Sequence, residues 1–229
     1  MMENIPAPKK IEDTTYAFYN THGKEYVNRQ REFYSKSKDT GRDYIRESLS
    51  ANIKNMTVVD IGCGAGDDLI AYSEMGAANV IGIEPAMTML EEAKKSITKD
   101  HSKIKLVAGE WNHLPLADAS VDAVTARYSL HLLPDFKTAF PEVARVLKKD
   151  GLFLIATLYP ANDAEIAKEK KTFIFNGKLA VENPPHTMDD YINKERLKYF
   201  IVEEKLPYSM NENRKETKPT GLLLKLRRK

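Results

Sequence analysis

The 229-residue sequence predicts an α/β fold, a mostly parallel sheet with helices on both faces. Five short apolar runs alternate with helix-length segments between Thr57 and Tyr159. Each run is long enough for a strand buried on both faces, as a covered parallel sheet requires. The first of them leads directly into a glycine-rich turn, VVDIGCGAGDD at 58–68.

In chain order, residues Thr14 to Arg46 are polar but carry Tyr16, Phe18, Tyr19, Tyr26, Phe33 and Tyr34, which predicts helices packing one face on the main body. TVVDIG, NVIGIE, KIKLVAG, VDAVTAR and GLFLIATLY are the five strands. DLIAYSEMG, AMTMLEEAKKSITKD and DFKTAFPEVARVLKK are the helices between them. In the second helix Met87, Leu90, Ala93 and Lys94 recur at helical spacing. After Pro160 the alternation fades. KTFIFNGKLAVE sets Asn176-Gly177 between two apolar runs, a two-residue hairpin signal. ENPPHTMDDYIN reads as a loop and a short helix, and YFIVEEKL and TGLLLKLRR as two last strands joined by YSMNENRKETKP. The division expected is 1–46 as a helical N-terminal lid, 47–160 as the ligand-binding core, and 161–229 as a substrate-side insertion with the final strands of the same domain.

The charge is nearly balanced, 35 basic against 33 acidic side chains and a formal net of +2, which argues against a dedicated nucleic-acid binder. The local basic excess, KLRRK, reads as a solvated end. Cys63 is the single cysteine and cannot form an intramolecular disulfide, which suits a reducing compartment. MMENIPAPKKIEDTTY has no apolar run able to serve as a signal peptide, and no segment approaches the ~20 apolar residues of a membrane span. A cytoplasmic protein is expected, with no membrane partner and its oligomeric state open.

A dinucleotide-binding turn follows G-x-G-x-x-G. Here the glycines fall at Gly62, Gly64 and Gly66, and Asp67 occupies the third fingerprint position. A diphosphate at this helix start would meet Asp67 and Asp68, at a cost of about 1 kcal/mol at ~4 Å and more where buried. A ligand without phosphate and with a cationic end is favoured, although one aspartate could serve only the helix dipole. The sequence at this point resembles the class I S-adenosylmethionine-dependent methyltransferases of the small-molecule type. The resemblance rests on Asp60-Ile61-Gly62-Cys63-Gly64-Ala65-Gly66, on Glu84 closing VIGIE, on Gly109-Glu110-Trp111, and on RYSLHLLPD followed by ARVLKKDGLFLI. It covers Val58 to Tyr159 and implies a Rossmann-like, seven-stranded sheet with an antiparallel last strand. It also implies S-adenosyl-L-methionine as cofactor.

The residues so implied for the cofactor are Tyr26, Asp60, Gly62, Cys63, Gly64, Asp68, Glu84, Pro85, Met89, Glu110, Trp111 and Arg127. Glu84 would accept from two ribose hydroxyls, and Glu110 would lie near the adenine amino group. Gly62 and Gly64 would let the backbone approach the methionine part, Gly66 would serve helix packing, and Cys63 would contribute its amide and not its thiol. His131 stands as a general base for a phenol or amine, or as a buried histidine fixing its turn. Tyr19 and Tyr26 are either cofactor-facing or packed on the sheet edge. Tyr19, Tyr159, Phe173, Phe175, His186 and Tyr191 are substrate-side candidates. None of the five histidines has a metal-ligand spacing, so no metal is expected. Asn183-Pro184-Pro185-His186 lies after the fifth strand and lacks a terminal Tyr or Phe, which separates it from the motif of adenine and glutamine methylating enzymes. The expected function is methyl transfer to a small, partly apolar O-, N- or C-nucleophile. RNA or protein methylation, a non-catalytic adenosyl-binding protein and an NAD-dependent oxidoreductase are the alternatives.

Overall fold

The computed structural model describes residues 12–98, 101–160, 171–175, 178–209 and 219–229, with side chains described outside 12–14 and 171–183. The chain opens with α1 (Glu12–Ser35) and α2 (Thr40–Ser50). Strands and helices then alternate through β1 (Thr57–Ile61), α3 (Asp67–Glu74), β2 (Asn79–Glu84), α4 (Met87–Ser96), β3 (Ile104–Ala108), β4 (Val121–Arg127), α5 (Ala139–Val146) and β5 (Leu147–Leu158). An antiparallel pair, β6 (Lys171–Phe175) and β7 (Lys178–Asn183), precedes α6 (Met188–Tyr191), β8 (Phe200–Tyr208) and β9 (Gly221–Arg228). The turn residues Asn176 and Gly177 lie outside the described residues, as do the side chains of Phe173 and Phe175.

Seven strands form one sheet in the order β3-β2-β1-β4-β5-β9-β8. β1 to β5 are mutually parallel, and β9 is antiparallel to both of its neighbours, β5 and β8. The last strand is therefore inserted inside the sheet, and Lys225 to Arg228 of KLRRK belong to it, contrary to the expectation of a solvated end. Leu222, Leu224 and Leu226 face one core and Leu223 the other. Arg227 pairs with Glu203, and Arg228 Nε donates to the Ala144 carbonyl at 2.8 Å.

Both faces of the sheet are covered, which is why its strands read as continuous apolar runs. Val59, Val124, Phe153 and Ile155 pack beneath Phe140 and Val143 of α5 and Tyr191 of α6. On the opposite face Val58, Val80 and Leu154 pack against Ile45 and Leu49 of α2 and Leu69 and Tyr72 of α3. Two details depart from the periodicity. The helix α5 ends at Val146, and Lys148 and Lys149, read as helical, extend β5, whose pairing with β4 shifts register between Val121 and Ala123. In α4 the buried residues are Met89, Leu90 and Ala93, whereas Met87 is 41% exposed. Met87 opens the helix, and side chains there lean back beyond its first turn.

The helix α1 rides on α4 and has few buried residues of its own. Gly23 marks the crossing point: a Cβ there would stand 3.0 Å from Met89 Sδ and 3.2 Å from Thr88 Cγ2. Beside it Thr88 Oγ1 donates to the Asn20 carbonyl at 2.8 Å, and the Thr88 amide to Asn20 Oδ1 at 3.3 Å.

Candidate active site

The carboxyl ends of β1, β2, β3 and β4 open on one cavity of about 650 Å³. This is the switch point of the sheet, where the chain order reverses about β1. The glycine loop, Glu84-Pro85-Ala86, Gly109 to Asn112 and Arg127 to Ser129 line it. Tyr16, Tyr19, Tyr26 and Gln30 of α1 cover it, and a further wall sets the apolar Leu132, Leu133, Pro134, Pro184 and Pro185 beside Asp135, Lys137 and Thr138.

The loop is shaped largely by contacts within the protein. Gly62 has φ +76°, and a Cβ on it would fall 2.3 Å from Ser129 Cβ. The amides of Gly62 and Cys63 both donate to the Ile83 carbonyl, at 2.7 and 3.2 Å. The close approach at Gly62 is thus to Ser129, in the turn after β4, and the Cys63 amide serves β2, which differs from the roles expected for them. Gly66, at φ +79°, brings α3 against α4, where a Cβ would lie 3.3 Å from Ala93 Cβ. The Cys63 thiol is buried, and burial together with the nearby Glu84 pushes its pKa well up, so it stays protonated.

Glu84 is a buried carboxylate of the cavity. Its Oε1 accepts from the Ala86 amide at 3.0 Å and its Oε2 from the Gly64 amide at 3.1 Å. Burial pushes its pKa up to about 7 against the opposing effect of these two amides. Each oxygen retains a second acceptor site. Asp60 lies beneath, accepting from Thr125 Oγ1 at 2.6 Å. Burial, with the charge of Asp68, pushes Asp60 up to about 7.

The two aspartates at the loop exit are not bare charges. Asp67 faces Arg31 of α1, whose Nη2 lies 2.6 Å from Oδ1. Asp68 is buried among arginines, with Arg127 Nε at 2.6 Å, Arg42 Nε at 2.9 Å and Arg46 Nη2 at 3.5 Å. Burial alone would raise its pKa, but Arg127, Arg42 and Arg46 more than offset that and hold it below the usual carboxylate range. Arg127 also reaches Asp39 Oδ2 at 3.0 Å, and Asp39 caps α2 by accepting from the Arg42 amide. The electrostatic objection to a diphosphate is accordingly weaker than the sequence suggests, because arginines remote in sequence neutralise both carboxylates.

Residues 59–155 match the family model of a methyltransferase domain, Methyltransf_11. The chain carries a methyltransferase domain. The methyltransferase domain is similar to the uncharacterized methyltransferase YcgJ of Bacillus subtilis, 37% identical over 107 residues, 46% of this chain and 42% of that one. It is also similar to demethylmenaquinone methyltransferase of Staphylococcus aureus, 39% identical over 101 residues, 43% of this chain and 42% of the relative. The alignments thus span less than half the length of these curated relatives. The fold matches an S-adenosylmethionine dependent methyltransferase from Mesorhizobium loti with a TM-score of 0.66 at 20% identity, over 80% of this chain and 96% of that one. The sheet thus has the Rossmann-like methyltransferase fold, and the domain implies S-adenosyl-L-methionine as cofactor.

Of the residues singled out in the sequence, the cavity of the methyltransferase domain gathers Tyr19, Tyr26, Gly62, Cys63, Gly64, Asp68, Glu84, Pro85, Met89, Glu110, Trp111 and Arg127. Asp60, His131, Tyr159, His186 and Tyr191 are not in its wall. His131 is buried in the single turn Leu130–Leu132. His186 stacks on Phe136 at 4.3 Å between centroids, and burial lowers its pKa. The Tyr191 hydroxyl meets Thr157 Oγ1 at 3.1 Å in the core, and the Tyr159 amide donates to the Thr220 carbonyl at 2.9 Å. Among the described residues no group of three or more His, Cys, Asp or Glu could hold a metal ion. The sequence reading passed over Ser129, Asp39, Arg42 and Arg31. Asp39 carried one usable signal, a helix N-cap in KDTGR. The others depend on which strands and helices become neighbours.

Proposed function

We propose that the protein transfers a methyl group from S-adenosyl-L-methionine to a small, partly apolar acceptor through an O, N or C nucleophile. The observation that carries this reading is the mixed character of the cavity, which brings a buried Glu84 carboxylate together with Leu132, Leu133, Pro134, Pro184 and Pro185, next to Asp135, Lys137 and Thr138. Glu84 suits the cofactor because its oxygens, each already accepting one amide, can take one more donor apiece, as a ribose diol supplies. Arg127, held by Asp39 and Asp68, suits the carboxylate of the amino-acid end. When bound, S-adenosyl-L-methionine supplies an electrophilic methyl group for in-line displacement.

The protein's part is to orient and to exclude water. Tyr19 and Tyr26 pack edge to face at 5.2 Å over the cavity, and the further wall fixes the acceptor. Positioning of this kind can contribute about 7–11 kcal/mol. His131 stands outside the cavity wall, so this reading takes positioning, not proton removal by His131, as the main contribution. Residues 47–160 then bind the cofactor, α1 covers it and residues 161–229 furnish the acceptor side, while α2 belongs to the body. A relative named for demethylmenaquinone supports a small-molecule acceptor. The lone buried Cys63 suits a cytoplasmic setting, and none of the described helices is long and apolar enough to cross a membrane. RNA or protein methylation, the second reading, would need an open basic groove, whereas α1 covers this cavity and β7 lies against α1.

Calorimetry with S-adenosylhomocysteine and with NAD tests the cofactor. S-adenosylhomocysteine should bind far more tightly, and tighter NAD binding would sink the assignment. Incubation with isotopically labelled methyl donor and separate metabolite and RNA pools then tests the acceptor, with label expected in metabolites.

A further inference from the structure

Asp67 occupies the position where a dinucleotide-binding turn has its third glycine, and its side chain is turned toward α1. Arg31 grips it in a fork, with Nη2 at 2.6 Å from Oδ1 and Nε at 3.2 and 3.3 Å from Oδ1 and Oδ2. The same guanidinium donates to Ser96 Oγ at the end of α4, at 2.9 Å. One side chain on α1 thereby spans the start of α3 and the end of α4. The C-terminal part of the covering face of α1 lies between this grip and the Asn20–Thr88 contact, with Tyr16 and Tyr19 covering the cavity on the other side of that contact. Between the two lie Gly23 on Met89 and the cavity-lining Tyr26, Val27 and Gln30. The apolar attachment of α1 is narrow, with Phe18 and Val27 its buried apolar side chains. A helix held by so little buried surface opens locally at small cost, so a polar contact at its end carries weight in how long it stays down.

From this geometry we infer that Arg31 and Asp67 are a positioning pair that latches α1 over the cavity and sets the residence time of the bound cofactor. The inference rests on the proposed cofactor for its second half and not for its first. Both side chains are about two-fifths exposed, 41% and 38%, so the latch is screened by salt. Its forked geometry places it at the upper end for exposed pairs, a change of about two- to fivefold in the equilibrium it biases.

The test is a double-variant cycle on the full chain with Arg31→Gln, Asp67→Asn and the combination. In the unliganded protein, amide hydrogen exchange over residues 19–30 should quicken about two- to fivefold in either single variant. The combination should be no worse than the singles. S-adenosylhomocysteine should dissociate faster by a similar factor. Added sodium chloride should speed dissociation from the wild type and leave the variants nearly unchanged. Unaltered exchange and dissociation in Arg31→Gln would overturn the latch. Additive effects would do so as well, because Asp67 would then be acting on the ligand directly. If the wild type fails to bind S-adenosylhomocysteine, the cofactor assignment and the residence-time claim fall together, and the exchange measurement still decides the latch.

Discussion

Glu84 joins three roles in one side chain. It closes β2, clamps the glycine loop through the Gly64 amide and presents its carboxylate to the cavity. Because it satisfies two backbone amides, Glu84→Ala should cost stability of about 1–3 kcal/mol even without ligand. The same change should weaken S-adenosylhomocysteine binding by about 2–4 kcal/mol, ~30- to 1000-fold, through loss of two charge-assisted bonds partly offset by water. Glu84→Gln, keeping one acceptor, should fall between, and intact affinity in Glu84→Ala would refute this placement of the ribose. The raised pKa adds a pH signature. Hydroxyl donors favour the ionised carboxylate, so affinity should rise as pH increases through about 7. Binding on the acid side should release a proton, seen by calorimetry in buffers of different ionisation enthalpy. Affinity that is flat across that range would exclude Glu84 as the acceptor.

At the scale of elements, α1 and α2 behave differently although both precede the sheet. Ile45 and Leu49 of α2 are buried against β5 and β4, whereas α1 touches the body along α4 and β7. Removing residues 1–35 should therefore leave a folded protein that has lost most of its S-adenosylhomocysteine affinity. A truncation continuing into α2 should unfold it, since Ile45 and Leu49 would each forfeit about 1.5–3 kcal/mol of burial. Circular dichroism melts and calorimetry on the shorter truncation check this, and undiminished affinity would rule out a covering role for α1.

For the molecule as a whole, β9 ties the two cores together. Leu222, Leu223, Leu224 and Leu226 are buried to 4% exposure or less. At about 1.5–3 kcal/mol each they account for roughly 6–12 kcal/mol, comparable with the whole net stability of a domain. Deleting residues 219–229 should abolish cooperative unfolding, and a retained melting transition would contradict this account. The buried acids also set a pH trend. Glu84 and Asp60 rise from 4.5 and 3.8 to about 7. Between those limits the native state holds more protons than the unfolded chain, so stability of the unliganded protein should fall as pH rises through that window. Asp68, held low, acts oppositely, and its contribution is lost only as pH falls below the ordinary carboxylate range.

The strands, the covering helices and the glycine loop with Glu84 at the next strand end were legible in the sequence. Each depends on local spacing, either apolar runs of strand length or residues fixed to the end of a run. Asp67 and Asp68 show where that ends. Their chain neighbours say only that two charges meet a helix start, and the arginines that neutralise them come from residues 31, 42, 46 and 127. KLRRK looked like a charged end until β9 slid between β5 and β8 and buried the leucines on either side of its first lysine. Tyr191 and His186 looked like acceptor contacts, but the packing of α6 on Phe136 turns both rings into the core. Local pattern decides which segment becomes a strand or a helix, because the period belongs to the segment itself. Pairing of distant charges and the final direction of a side chain depend on contacts between segments, and only the folded chain brings those together.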